Sequence, residues 1–188
     1  MVSRKVMAAA VAASFVFGSI AIAGELGGVK LPDTLSAGGK TLKLNGMGLR
    51  KKIGFKVYVG GLYLEATSKD AAAIISGDGV KALTMHFLRD VDKAKLLEAY
   101  REGFDNNAKD KVAAQKANIE KFLSFVVDMK GGAEVTYIYD PAKGVSIVRD
   151  GKEVGAIEAK DFAPVMFSLW LGPKPPSDDF KAGLLGGK

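Results

Sequence analysis

The arginine at position 50 has the setting in this sequence that is best suited to chemistry. Arg50 lies between a glycine-punctuated stretch, residues 41–49, and an alternating apolar stretch that begins at Ile53. Glycines within a strand often mark a bulge or a place where another group approaches the backbone. An inward-facing guanidinium must meet a carboxylate, backbone carbonyls or a ligand anion, because burying it alone is costly. Periodicity alone also allows an exposed Arg50 that continues the basic run of Lys51 and Lys52.

The rest of the composition argues against several kinds of site. The chain has 188 residues, no cysteine and one histidine, His86. That histidine lies mid-strand between two apolar residues and has no evident nucleophilic partner, so we interpret it as a half-buried structural residue. No spacing of side chains predicts a metal site, and no motif predicts a nucleotide or any other cofactor.

The first 23 residues predict a signal peptide. Arg4 and Lys5 precede an apolar stretch, and a small-x-small pattern at residues 21–23 comes directly before Gly24. That arrangement is typical of a cleaved secretory signal; the alternative is a retained N-terminal anchor. We therefore expect a single mature domain at residues 24–188, periplasmic or secreted, with no transmembrane segment after signal cleavage.

The charge distribution does not indicate a nucleic-acid partner. Loss of Arg4 and Lys5 with the signal lowers the formal net charge from +6 to +4, and the lysines are scattered without interleaved aromatic residues. With no cysteine in an oxidising compartment, the fold must depend on its core rather than on disulfides. We expect a monomer that binds a small molecule and no nucleic acid.

Local patterning predicts an α+β fold. Strands are expected at residues 41–49, 53–64, 80–88, 134–139, 145–149 and 153–157. Helices are expected at residues 69–76 with Ser68 as N-cap, 92–106, 113–127, 160–171 and 178–185. The helices are not interleaved one for one with the strands, which favours an antiparallel sheet covered on one face.

Three short motifs resemble those of a known family. The segments GKTLKLNGMGLR and KVYVGGLYLE, and later AIEAK ahead of an apolar helix ending in LG, are similar to the chalcone isomerase-like family, in its bacterial exported branch. The similarity runs from about Val29 to Leu185. It implies an open-faced antiparallel β-sandwich with a layer of helices and a ligand cleft, which agrees with the α+β class predicted from the residues.

The resemblance implies a ligand-binding role for four residues. Arg50 matches the isomerase arginine that holds a substrate oxygen, and Tyr58 stands where the isomerases carry a threonine that positions a water. Leu169 and Trp170 match the pair that sets specificity near the end of a later helix, where the isomerases have a small polar residue followed by an aliphatic one.

The first long helix departs from the isomerase pattern. Its catalytic tyrosine, lysine and asparagine fall, in that order, on Ala94 or Lys95, on Leu97 or Glu98, and on Arg101 or Glu102. Most of the hydrogen-bond donors that flavanone formation needs around the enone are therefore missing.

An arginine and a tyrosine projecting into an apolar cleft suit a fatty-acid carboxylate, and the pair resembles that of the fatty-acid-binding members of the family. A charge-assisted arginine contact contributes about 1.5–3 kcal/mol, and each buried methylene of the tail adds about 0.8 kcal/mol. The first hypothesis is therefore a non-catalytic protein that binds a fatty acid or similar amphiphile through Arg50, Tyr58, Leu169 and Trp170. The alternatives are an intramolecular lyase acting on an enone or phenolic substrate through Arg50 and Tyr58, or an interaction protein whose cleft is merely structural.

Overall fold

The computed structural model describes residues 22–187. The expected signal peptide lies outside the described residues over positions 1–21, and its cleavage stays a prediction. The strands are β1 Ile22–Leu26, β2 Val29–Pro32, β3 Thr34–Ala37, β4 Lys40–Lys52, β5 Phe55–Leu64, β6 Lys81–Phe87, β7 Glu134–Asp140, β8 Gly144–Arg149 and β9 Lys152–Ile157. The helices are α1 Ala71–Ser76, α2 Lys93–Asn107, α3 Lys109–Val112, α4 Lys116–Ser124, α5 Phe162–Leu171 and α6 Asp178–Leu184.

Seven strands form one antiparallel meander in the order β3-β4-β5-β6-β7-β8-β9, and β1 and β2 form a separate hairpin. One face of the meander carries the main core, which the helices cover; it includes Leu62, Met85, Tyr137 and Ile147. The β1–β2 hairpin packs on part of the opposite face. The predicted α+β class with helices on an antiparallel sheet is confirmed.

Helix α5 lies inside the molecule. All of its residues except Pro164 are buried, as expected of a helix that is apolar on every side. It contacts α1, α2 and α6 as well as strand β8. The apolar run at residues 162–171 therefore forms the middle of the core.

Two sequence predictions of helix boundaries were wrong. The N-cap of α1 is Asp70, whose carboxylate accepts the Ala73 N–H. Ser68 lies two residues before this cap, and its hydroxyl accepts the Asp70 N–H. The helix expected over residues 113–127 is the shorter α4, and α3 precedes it as a separate helix that was not predicted. They are separated near Gln115, whose buried side-chain amide donates to Asp161.

The glycines of β4 and β5 let helix α6 lie directly on the sheet. A Cβ at Gly48 would come within 2.3 Å of the Phe180 carbonyl oxygen, and one at Gly60 within 2.5 Å of the Phe180 ring. A Cβ at Gly46 would come within 2.2 Å of the Gly183 carbonyl oxygen. Asn45, at a register shift in β4, donates its side-chain N–H to the Leu184 carbonyl at 2.8 Å. The sheet and α6 therefore meet backbone to backbone.

The close approach predicts that Gly48→Ala destabilises the fold. The added methyl group would displace α6, because it meets a backbone atom that cannot rotate away, and overpacking of this kind costs about 1–3 kcal/mol. Gly79→Ala is the matched control, since a Cβ there meets its nearest atom, a Glu65 side-chain oxygen, at 3.4 Å. Urea unfolding should show a lower free energy of unfolding for Gly48→Ala and little change for the control. Equal effects would contradict the proposed contact.

Candidate functional site

Arg50 and Tyr58 are directly opposite each other on β4 and β5. Residues opposite each other in an antiparallel pair project from the same face of the sheet. Tyr58 belongs to the helix-covered core and is 8% exposed, so Arg50 starts from the same face. The structure therefore brings these two predicted site residues together at one end of the sheet.

The Arg50 side chain is half-buried at the edge of this face. Its guanidinium donates a 2.7 Å hydrogen bond to the carbonyl of Lys51, its neighbour in sequence. Among residues 22–187, no ion pair joins Arg50 to a carboxylate. Because a planar guanidinium has five N–H donors, most of its binding capacity is left to other acceptors.

Aromatic rings hold Tyr58 in place. Its ring meets Phe180 edge-on at 5.4 Å and Phe87 at a tilt at 5.6 Å. Burial raises the pKa of the Tyr58 hydroxyl well above its usual value of 10, and Tyr100 acts in the same direction. The charge of Arg50 and the Trp170 side chain act in the opposite direction. At neutral pH Tyr58 is therefore an uncharged donor beside a cation.

Two further tyrosines place hydroxyl groups in the same core. The Tyr100 and Tyr137 hydroxyls form a 2.7 Å hydrogen bond between α2 and β7. Trp170 stacks on Tyr137 at 5.2 Å and meets Tyr100 edge-on at 6.2 Å. Burial raises the pKa of both tyrosines. The sequence did not single out this pair as a polar site. The position of Tyr100 on the apolar stripe of its helix indicates a buried hydroxyl that needs a partner.

A small cavity adjoins the Tyr100–Tyr137 pair. It offers about 20 Å³ to the centre of a water-sized sphere, which is room for about one water molecule. Its walls are apolar side chains from the sheet, α2 and the segment after α4, together with Arg149. The Arg149 guanidinium donates to the Phe125 carbonyl at 3.3 Å. Arg149 was also missed by the sequence analysis, and nothing in its local pattern distinguishes it.

The predicted specificity pair points in two directions. Trp170 contacts Tyr100 and Tyr137, which together form the tyrosine cluster. Leu169 packs toward α2, where a Cβ at Gly103 would come within 2.7 Å of its side chain. Adjacent helical residues are about a third of a turn apart, so they cannot both face the tyrosines. Both are buried, at 4% and 1% exposure for Leu169 and Trp170.

Helix α2 turns the positions of the isomerase catalytic residues away from the tyrosine cluster. Its exposed residues include Ala94, Lys95, Glu98, Arg101 and Glu102, and Leu97 is half-buried. Arg101 forms an ion pair with Glu120 of α4 at 2.8 Å. The buried stripe of α2 consists of Leu96, Tyr100 and Phe104. The helix therefore contributes one hydroxyl group, that of Tyr100, to the core.

The remaining candidates lie elsewhere. His86 is half-buried on the face of β6 opposite Phe87, with its Nδ1 atom 3.7 Å from a Glu134 oxygen. Within residues 22–187, no group of three or more acidic or histidine side chains could hold a metal ion. In the same part of the chain, no helix has the length and apolar character needed to cross a bilayer.

Comparison with known proteins agrees with this architecture. A fatty-acid binding protein of Arabidopsis thaliana, solved by crystallography, has the same fold with a TM-score of 0.66 and 14% sequence identity. The alignment covers 84% of this chain and 92% of that one. A search of curated protein sequences found no match.

These features define an antiparallel sheet under a helical layer with an arginine–tyrosine pair at its edge. The sequence model of the family described as chalcone isomerase-like matches residues 23–186. The chain belongs to the chalcone isomerase-like family.

The tyrosines predict a characteristic response to alkaline pH. Tyr58, Tyr63, Tyr100 and Tyr137 have raised pKa values, and burial raises that of Tyr139 to about 12. These are all five tyrosines of the chain. Their contribution to stability is fully present below the ordinary pKa of 10 and is lost as pH rises through the raised values. Tyrosinate absorbance should therefore appear only as the protein unfolds.

One lysine changes the stability in the opposite direction as pH rises, and it therefore sets the pH range in which the effect of the tyrosines can be measured. Burial lowers the pKa of Lys81 to about 8 from its ordinary 10.5, so its effect on stability rises with pH and is complete near 10.5. Unfolding free energies should therefore fall above that pH, and less steeply in Tyr58→Phe, which releases one proton fewer. A tyrosinate signal near pH 10 in the folded protein would contradict the burial of these hydroxyls.

Proposed function

We propose that this protein is an exported, non-catalytic binding protein for a fatty acid or a similar amphiphilic carboxylate. The observation that carries the proposal is the cross-strand pair of Arg50 and Tyr58 at the edge of the apolar core. Arg50 supplies charge and a planar fork, and Tyr58 supplies a neutral hydroxyl donor. A carboxylate would replace the neutral Lys51 carbonyl as the acceptor for Arg50, so a hydrogen bond to an uncharged acceptor would become an ion pair.

The acyl tail would lie between the sheet and the helical layer. Ligand sites for molecules of this size enclose roughly 300–1,000 Å³, whereas the cavity beside Tyr100 and Tyr137 offers about 20 Å³. Binding therefore requires the two layers to separate. The segment after α4 is the most suitable part to move, because Phe125 and Val127 line the cavity and are only half-buried.

Burial of the acyl tail would offset the cost of separating the layers. Each methylene transferred from water contributes about 0.8 kcal/mol, so a long tail supplies much more than the head-group contact. The tail would provide most of the affinity, and Arg50 would orient the ligand. The fold shared with the Arabidopsis fatty-acid binding protein supports this assignment at the level of architecture.

An exported location is part of the proposal. It rests on the basic start, the apolar stretch and the small residues before Gly24. A chain without cysteine needs no disulfide chemistry in that compartment.

Native mass spectrometry of protein purified from its own host should detect a bound fatty acid. Arg50→Ala should weaken binding of the same fatty acid by about 10- to 100-fold, because it removes a charge-assisted contact of about 1.5–3 kcal/mol. Tyr58→Phe should cause a smaller loss, since it deletes only the hydroxyl.

Arg101→Ala is the matched control for this experiment. It removes an arginine that pairs with Glu120 on the outer surface, so it should leave fatty-acid binding unchanged. Absence of any co-purified lipid together with no binding of added fatty acid would refute the proposal. Retention unaffected by Arg50→Ala would instead refute the assigned anchor.

The alternative of an isomerase is tested by turnover of chalcones. We expect cyclisation at the buffer rate, because the positions matching the catalytic helix residues lack the required donors and most are exposed. General acid–base help from a single side chain is worth about 10²–10⁴-fold. An acceleration in that range that Tyr58→Phe abolishes would favour the enzyme.

A further inference from the structure

The hairpin between β4 and β5 ends in an exposed apolar tip. Ile53 is 88% exposed and Phe55 60%, and they are the exposed large hydrophobic residues of the described chain. Strand β6 pairs with β5 only from Tyr58 onward, so residues 51–56 extend beyond their neighbour in the sheet. All six of these residues are exposed.

The turn residue at this tip is unfavourable for stability. Ile53 has φ +50° and Gly54 φ +76°, the pattern of a two-residue hairpin turn that prefers Asn-Gly or Asp-Gly. A β-branched residue at positive φ is a conformational outlier. Asparagine would fit the backbone better and would remove apolar surface from water. Local stability therefore gives no reason for isoleucine at this position.

Cations surround the apolar tip. Lys51 and Lys56 are opposite each other across the hairpin, where like charges repel. Lys52 adjoins the turn, and the Arg89 guanidinium lies 4.7 Å from the centre of the Phe55 ring. Within residues 22–187, none of these four cations takes part in an ion pair with a carboxylate. The nearby Asp90 is occupied by Lys130 at 2.7 Å.

We propose that this tip, residues 51–56 with Arg89, docks the protein on an anionic lipid bilayer. Ile53 and Phe55 enter the boundary between head groups and acyl chains, while the cations contact lipid phosphates. This combination of exposed apolar residues and flanking lysines is how peripheral proteins bind bilayer surfaces. Charge complementarity selects the anionic bilayer over a neutral one. The proposal does not depend on the fatty-acid function.

Vesicle binding by the full chain tests the docking surface. Binding should be stronger to phosphatidylcholine vesicles containing phosphatidylglycerol than to phosphatidylcholine alone, and should weaken as salt rises. The variant Lys51→Gln/Lys52→Gln should bind the anionic vesicles about 30-fold more weakly, since each cation near the surface contributes about fivefold. Ile53→Asn should weaken binding by about tenfold.

The controls separate docking from general effects. Lys109→Gln/Lys111→Gln removes the same charge from α3 and should bind as the unmodified protein does. Ile53→Asn should unfold at the same or higher urea concentration, so its weaker binding would not reflect misfolding. Equal loss in both lysine pairs, or no loss in either tip variant, would overturn the proposal.

A spin label can locate the contact, because the chain contains no cysteine to interfere. A nitroxide on Ile53→Cys should become accessible to oxygen and shielded from a water-soluble nickel reagent when anionic vesicles are added. A label on Lys111→Cys should stay in water. Binding through the N-terminal apolar stretch instead would leave both labels in water and would refute docking through the tip.

Discussion

The contact between α6 and the glycines of β4 and β5 is the constraint on which the site depends. A helix can lie this close to a sheet only where side chains are absent, and Gly46, Gly48 and Gly60 provide that surface. The contact places Phe180 where the strands have no side chains. Phe180 in turn meets Tyr58 edge-on. Tyr58 is next to this surface on β5. It is thereby held between the ring of Phe180 on α6 and the ring of Phe87 on β6.

The same contact explains why Arg50 is at the edge of the core. Arg50 is two residues beyond Gly48 on the same face of β4, past the stretch that α6 covers. Its stem begins on the covered face, while its guanidinium reaches the backbone carbonyl of Lys51. A buried arginine without a carboxylate would be costly, and this position avoids that cost. Because Arg50 lies at the edge of the sheet, its cation can remain close to the core without a buried ion pair.

Much of this could be predicted from sequence because it depends on local patterns. The glycines of β4 predicted a bulge or a close approach, and both occur, the bulge between Leu44 and Gly46. Alternation predicted β5, although Ile53, its expected first residue, lies in the turn before it. The buried stripe of α2 was predicted with Tyr100 on it. Contacts between distant segments could not be predicted in this way. The Tyr100–Tyr137 bond joins residues 37 positions apart, and no periodicity encodes which strand residue faces a given helix residue.

The tyrosine cluster also limits how a ligand could enter the core. In the closed structure one of the Tyr100 and Tyr137 hydroxyls donates to the other, so each buried oxygen has a partner. A carboxylate inserted between them would break that bond and would have to be desolvated. The cation that lines the adjacent cavity, Arg149, already donates to the Phe125 carbonyl. At Arg50 the same carboxylate keeps a counter-charge and partial access to water. The head group should therefore stay at the edge of the sheet, and the cluster should meet the tail.

The β4–β5 hairpin carries both the proposed fatty-acid anchor and the proposed membrane-docking tip, and they are a short distance apart. Arg50 precedes the apolar tip residue Ile53 by three positions, which in an extended strand corresponds to about 10 Å. Amphipathic surfaces that bind bilayers bury their apolar groups to a depth of about 5–10 Å. A tip inserted to that depth would bring Arg50 to the level of the lipid head groups, where the carboxylate of a membrane fatty acid also lies. The strained turn and the repelling lysines lower the stability of the free protein. Binding to an anionic bilayer would offset that loss at the membrane surface, which is also where a fatty acid could be exchanged.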